Sequence, residues 1–72
     1  MSTKSTTRKR VHQVVAGDVY VNYNAAGERR EHPVAARAQR TGNDRCFITT
    51  TLPSGRYSRF WLDINEFVEV AR

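Results

Sequence analysis

Between Arg45 and Leu62 the chain reads as two β-rich runs about one reversal, and that pattern constrains the fold more than any other feature. Arg45-Cys-Phe-Ile-Thr-Thr-Thr-Leu52 is β-branched and aromatic throughout, and Arg56-Tyr-Ser-Arg-Phe-Trp-Leu62 returns from it. Pro53-Ser-Gly55 supplies the turn, because proline presets φ and glycine reaches conformations closed to other residues. The two runs form a hairpin. Upstream, Val19-Tyr-Val-Asn-Tyr23 alternates β-branched and aromatic residues between Ala16-Gly-Asp18 and Asn24-Ala-Ala-Gly27, which marks a third strand.

Residues 33–41 read two ways. Pro33 at the start, Gly42 past the end and Ala, Arg and Gln between them suit a short helix. Read with period two, Val34, Ala36 and Ala38 share one side and Arg37 and Gln39 the other. A helix of this length needs docking to persist. With β patterns on both sides, strand is the adopted reading and helix the alternative. After the hairpin, Asp63-Ile-Asn-Glu66 fits a capping box, in which the Glu66 side chain reaches back to the N–H of Asp63. One helical turn is therefore expected before Phe67-Val-Glu-Val70 resumes alternation as a closing strand.

The fold class is mainly β: five short strands with one helical turn before the last. Ala16-Gly-Asp-Val-Tyr-Val21 opening a strand, and Phe60-Trp-Leu-Asp-Ile-Asn-Glu-Phe67 leading through a turn into the last one, resemble SH3-like barrels of the KOW or Tudor type. The resemblance spans roughly residues 14–71 and implies a small five-stranded SH3-like barrel. It assigns no methyl-lysine cage to particular residues. The expected core is Val19, Val21, Val34, Ala36, Ile48, Leu52, Phe60, Leu62, Ile64, Phe67 and Val70. A 72-residue chain has room for one domain, and a core this small would gain from a dimer.

Charge is concentrated at one end. Twelve Lys and Arg face seven Asp and Glu, a net charge of +5. Lys4, Arg8, Lys9 and Arg10 contribute +4 within residues 1–10, where no acid occurs. This segment has no apolar residue after Met1 and is expected to be a disordered basic arm, with residues 11–72 as the barrel domain. Such arms bind polyphosphate or acidic surfaces, or serve only as solubilising tails. Beyond the arm every basic residue is Arg, whose planar fork meets phosphates and stacks on rings. Arg29 and Arg30 sit between Glu28 and Glu31, so salt bridges within that loop rank at least level with phosphate contacts, which would require the loop to lie beside the hairpin.

The hairpin phase selects a candidate binding face. With Ile48, Leu52, Phe60 and Leu62 inward, Arg45, Phe47, Thr49 and Thr51 share the outer face with Tyr57, Arg59 and Trp61. Rings stack on unpaired bases while guanidinium groups meet phosphates. The competing reading has Trp61 and Phe47 covering the other end of a barrel whose strands are half buried on both sides. The candidate nucleic-acid-binding residues are Lys4, Arg8, Lys9, Arg10, Arg37, Arg45, Phe47, Arg56, Tyr57, Arg59 and Trp61.

Catalysis and metal binding are not expected. His12, His32 and Cys46 lack paired-ligand spacing, and no third group accompanies Cys46 and a histidine for nucleophilic work. The four glycines are spread among turns rather than gathered in a phosphate loop. Cys46 alternates in a β run and reads as a small buried hydrophobe. A single cysteine suits a reducing compartment, and no apolar run is long enough for a membrane span; a cytoplasmic location and no cofactor are the expectations. The first functional expectation is a nucleic-acid-binding module, for DNA or RNA. On that reading, removing the arm would flatten the log–log salt slope by about 3.6 on a duplex. The alternative is a small protein, of the kind phages and mobile elements make, that binds and inhibits a host protein through the same face. A homodimer with its rings buried across a two-fold axis is a third reading.

Overall fold

The computed structural model describes residues 6–71. Six strands follow in chain order: β1 (Thr6–Arg10), β2 (Val19–Tyr23), β3 (Arg29–Thr41), β4 (Arg45–Thr51), β5 (Tyr57–Asp63) and β6 (Phe67–Ala71). They form one antiparallel sheet in the order β1-β6-β2-β3-β4-β5, open at β1 and β5. The mainly-β expectation holds, with six strands in place of five. Residues 33–41 are strand, within the longer β3.

Two differences from the sequence reading concern the chain's ends. Thr6–Arg10, expected to be an unstructured arm, is β1, paired with β6 from Thr6↔Ala71 to Arg10↔Phe67. The segment has no apolar side chains of its own to bury, and β6 supplies it a complete backbone ladder. Lys4 lies outside the described residues. Between β5 and β6, Asp63–Glu66 makes a tight turn in place of a helical one. The Asp63 N–H does donate to Glu66 Oε1 (3.3 Å), as the capping pattern requires, but the Asp63 carboxylate accepts from the Asn65 N–H (2.8 Å). The 3-10 turn is instead at Val11–Gln13, directly after β1.

Turn chemistry fixes the hairpin. Leu52 donates to the Arg56 carbonyl (2.7 Å) and Gly55 to the Leu52 carbonyl (2.9 Å), with Gly55 at φ 89°. A three-residue loop with a left-handed glycine closes on a hydrogen-bonded pair. The far end agrees, since the Ile64 N–H donates to the Asp44 carbonyl (2.8 Å). Alternation of paired and unpaired positions between these two ends makes Phe47↔Trp61, Thr49↔Arg59 and Thr51↔Tyr57 non-hydrogen-bonded pairs. The backbone groups of Tyr57, Arg59 and Trp61 consequently point away from β4.

The sheet curls on itself. Tyr20 of β2 meets Phe60 of β5 edge to face at 5.0 Å between ring centroids, although β3 and β4 lie between them. A flat sheet would hold those strands roughly 14 Å apart. Register shifts in β3, between Val34 and Ala36 and between Ala36 and Gln39, supply the bend. The concave side holds Val11, Val14, Tyr20, Val34, Cys46, Ile48, Val68 and Val70, with Ala38, Phe60, Leu62 and Ile64 packed against them.

The expected core needs several corrections. Tyr20, not Val19 or Val21, joins the concave cluster from β2, Ala36 lies outside that cluster, and Cys46 and Val68 belong to it. Leu52 is 38% exposed at the hairpin turn and Phe67 is 48% exposed on the outer face of β6. Val68 and Val70 point inward, and strand alternation therefore turns Phe67 out. Val11 and Val14, on the link between β1 and β2, are fully buried instead, held by Val11 N–H to the Glu66 carbonyl (3.0 Å) and Ala38 N–H to the Val14 carbonyl (2.9 Å).

Candidate nucleic-acid interface

Cross-strand pairing builds the hairpin's outer face. Arg45↔Asp63, Phe47↔Trp61, Thr49↔Arg59 and Thr51↔Tyr57 all present side chains there, while Cys46↔Leu62, Ile48↔Phe60 and Thr50↔Ser58 turn inward. Non-hydrogen-bonded pairs bring side chains closest, and the Phe47 and Trp61 rings lie 5.0 Å apart. Arg59 reaches diagonally over the Phe47 ring, its guanidinium carbon 4.6 Å from the centroid. Phe47 is only 9% exposed beneath these two, whereas Trp61 is 51% and Tyr57 69% exposed. Phe47 is thus the base of the layer, and Trp61 and Tyr57 are its open rings. Sequence left Trp61 and Phe47 jointly open between core and surface, and the structure divides them.

The other expected site residues fall into separate groups. Arg45 and Arg56 are exposed, the first at the start of β4 and the second beside Tyr57 in the turn. Arg37 is exposed on β3 and, with His12 and Arg40, lines a groove of about 580 Å³ rather than the hairpin face. Arg40 is tied to its own turn, donating to the carbonyls of Gly42 and Asn43 (both 3.2 Å). Arg29 pairs with Glu31 (3.0 Å), as the flanking acids suggested, but both lie on β3 rather than in a loop. Among the described residues, Arg37, Arg45, Arg56 and Arg59 make no ion pair.

β1 carries a second arginine–ring arrangement that the sequence reading missed. Arg8 and Arg10 point to the outer face, their guanidinium carbons 5.3 and 4.8 Å from the centroid of the Phe67 ring. The signal was present in the spacing of Arg8 and Arg10, two residues apart as strand neighbours on one face require. Lys9, between them, points to the other side and pairs with Asp18 (2.9 Å). Burial would raise the Asp18 pKa, but Lys9 and the Val15 N–H (3.1 Å) outweigh it and hold the carboxyl below its ordinary range. Lys9 is therefore a structural cation.

Between β2 and β6 the ladder covers only Tyr20↔Val70 and Val21↔Glu69. The strands then diverge around a groove of about 540 Å³ lined in part by Arg8, Tyr23, Leu62, Glu66, Phe67 and Glu69. Its two carboxylates make it a poor seat for a polyanion. No group of three His, Cys, Asp or Glu is placed to hold a metal among the described residues. Cys46 is buried, which pushes its thiol pKa up and away from nucleophilic use. His32 packs on Tyr20 and Phe60, and its Nε2 lies 2.9 Å from Asn22 Oδ1. Burial and then Arg30 lower its pKa. No helix among the described residues is long and apolar enough to cross a membrane.

Comparison with protein-family models, with curated proteins and with solved structures gave no match.

Proposed function

We propose that this chain is a small nucleic-acid-binding module whose curled sheet is of the SH3-like barrel kind, with β1 added outside it. The return of β6 to β2 and the meeting of Tyr20 with Phe60 across the core support the barrel reading. One observation carries the functional reading: Trp61 and Tyr57 stand exposed near Arg45, Arg56 and Arg59, which make no ion pair among the described residues, although Asp63 lies across from Arg45. In this reading Trp61 stacks on an unpaired base, Arg59 and Arg45 meet the flanking phosphates, and Phe47 holds Trp61 and Arg59 at a fixed height. Preordered rings and forks lose little entropy on binding. Arg8 and Arg10 add phosphate contacts from the opposite edge, and the chain works without a cofactor in a reducing cytoplasm.

Electrophoretic mobility with single-stranded DNA, duplex DNA and RNA at two salt concentrations tests this. A shift at low salt that weakens at high salt is expected, with Trp61→Ala reducing single-strand affinity by about 1–3 kcal/mol. No shift of any oligomer at low salt would overturn the reading. It would favour the inhibitor reading, since Trp, Tyr and Arg are also the usual anchors of protein interfaces.

A further inference from the structure

β5 is the last strand of the sheet, and nothing pairs with its outer side among the described residues. The hairpin parity aims the N–H and C=O groups of Tyr57, Arg59 and Trp61 at that open side. The next residue in phase, Asp63, has its own groups occupied: its N–H donates to Glu66 Oε1 (3.3 Å) and its C=O accepts from the Glu66 N–H (3.0 Å). Native sheets blunt such edges with lysine, proline, bulges or short strands. β5 has no lysine, proline or bulge, and its two charged residues, Arg59 and Asp63, are of opposite sign. It runs for seven residues in unbroken register with β4, as Tyr-Ser-Arg-Phe-Trp-Leu-Asp.

We propose that two copies of this chain pair antiparallel through β5, with Phe60 on the two-fold axis. The strand is self-complementary in that register. Arg59 lies opposite the second copy's Trp61 on the outer face and diagonal to its Asp63, so each cation meets a ring and an acid. On the inner face Phe60 meets Phe60, and Ser58 meets Leu62. These contacts cover a rim where Phe60 and Leu62 are only partly buried. Arg59 and Trp61 both point their backbone groups outward, so the two Arg59–Trp61 pairs close about four interchain hydrogen bonds.

The neighbouring registers are worse. Centring the axis on Arg59 sets the two guanidinium groups directly opposite, which is destabilising. Centring it on Trp61 places Arg59 against Asp63, whose backbone groups are already engaged. The pairing uses the edge and sets Arg59 of each copy beside Trp61 of the other on the outer face; it is tested without nucleic acid and does not depend on the nucleic-acid reading. It joins the two hairpin faces into one continuous surface.

Sedimentation of the full chain without nucleic acid, from micromolar to millimolar concentration, together with amide hydrogen exchange, tests the proposal. A concentration-dependent dimer is expected in which the Arg59 and Trp61 amides slow as the dimer fills. Arg59→Asp should raise the dissociation constant roughly tenfold, through loss of two Arg–Trp contacts and a new repulsion with Asp63. The double variant Arg59→Asp with Asp63→Arg restores charge complementarity and should recover most of that loss. A monomer at every concentration, or a dimer whose Arg59 and Trp61 amides still exchange freely, would overturn the proposal. The exchange measurement needs no variant and stands whether or not the substituted chains fold.

Discussion

The two open edges of the sheet use the same chemistry to different ends. On β1, Arg8 and Arg10 lie on Phe67, and Lys9 is locked to Asp18 on the other side. Three cations in five residues make that edge hostile to another strand. On β5, a single arginine lies on Phe47 beside Trp61, and the remaining residues are mostly aromatic or apolar. A dense block of charge is therefore the protected edge, while a sparse pairing of one cation with several rings is the proposed recognition surface. Net charge alone would have assigned these roles the other way round.

The largest expected effect that separates the two edges is structural. Phe47→Ala removes a buried ring beneath Trp61 and Arg59 and should cost about 3–5 kcal/mol in a denaturant melt. Phe67→Ala removes a half-exposed ring and should cost only about 1 kcal/mol. Equal costs would mean that the two platforms are equivalent, which contradicts their burial. The next effect is on binding: Tyr57→Ala should weaken single-strand affinity by about 1 kcal/mol or more without altering the melt, and a lower melting point would make Tyr57 structural.

How much of this was legible in sequence follows the range of the contacts involved. The hairpin was readable to the facing of individual side chains, because a three-residue turn fixes register locally and Pro53 and Gly55 fit no other role. Residues 33–41 needed neighbouring strands for a decision, since alanine-rich alternation serves helix and strand alike. β1 was unreadable because its partner lies about sixty residues away, from Thr6 to Ala71. Phe67 was misplaced because both Phe67 and Val70 were assigned to the core, although on an alternating strand the two cannot share a face. Trp61 and Phe47 were inseparable in sequence because which ring of a stacked pair lies beneath depends on strand curvature.

Smaller effects concern pH and salt. His32 has a pKa lowered by burial and by Arg30, so the unfolded chain takes up its proton first as pH falls. The stability this group contributes is complete above its ordinary 6.5 and is lost as pH drops through the lowered folded value. Denaturant melts at about pH 8 and about pH 5 should show that loss, and His32→Gln should flatten it. For the β1 edge, deletion would remove a strand, so substitution is the cleaner probe. Arg8→Gln with Arg10→Gln should leave Trp61 stacking intact and reduce the duplex salt slope by about 1.8. An unchanged slope would confine phosphate contacts to the hairpin.

Because the chain has one tryptophan, its emission reports on the proposed face directly. Titration with a single-stranded oligonucleotide at low salt should quench Trp61 saturably, with the quench reversed by added salt and weakened by Arg59→Ala. A mobility shift with unchanged Trp61 emission would place the bound strand elsewhere on the molecule and contradict the account.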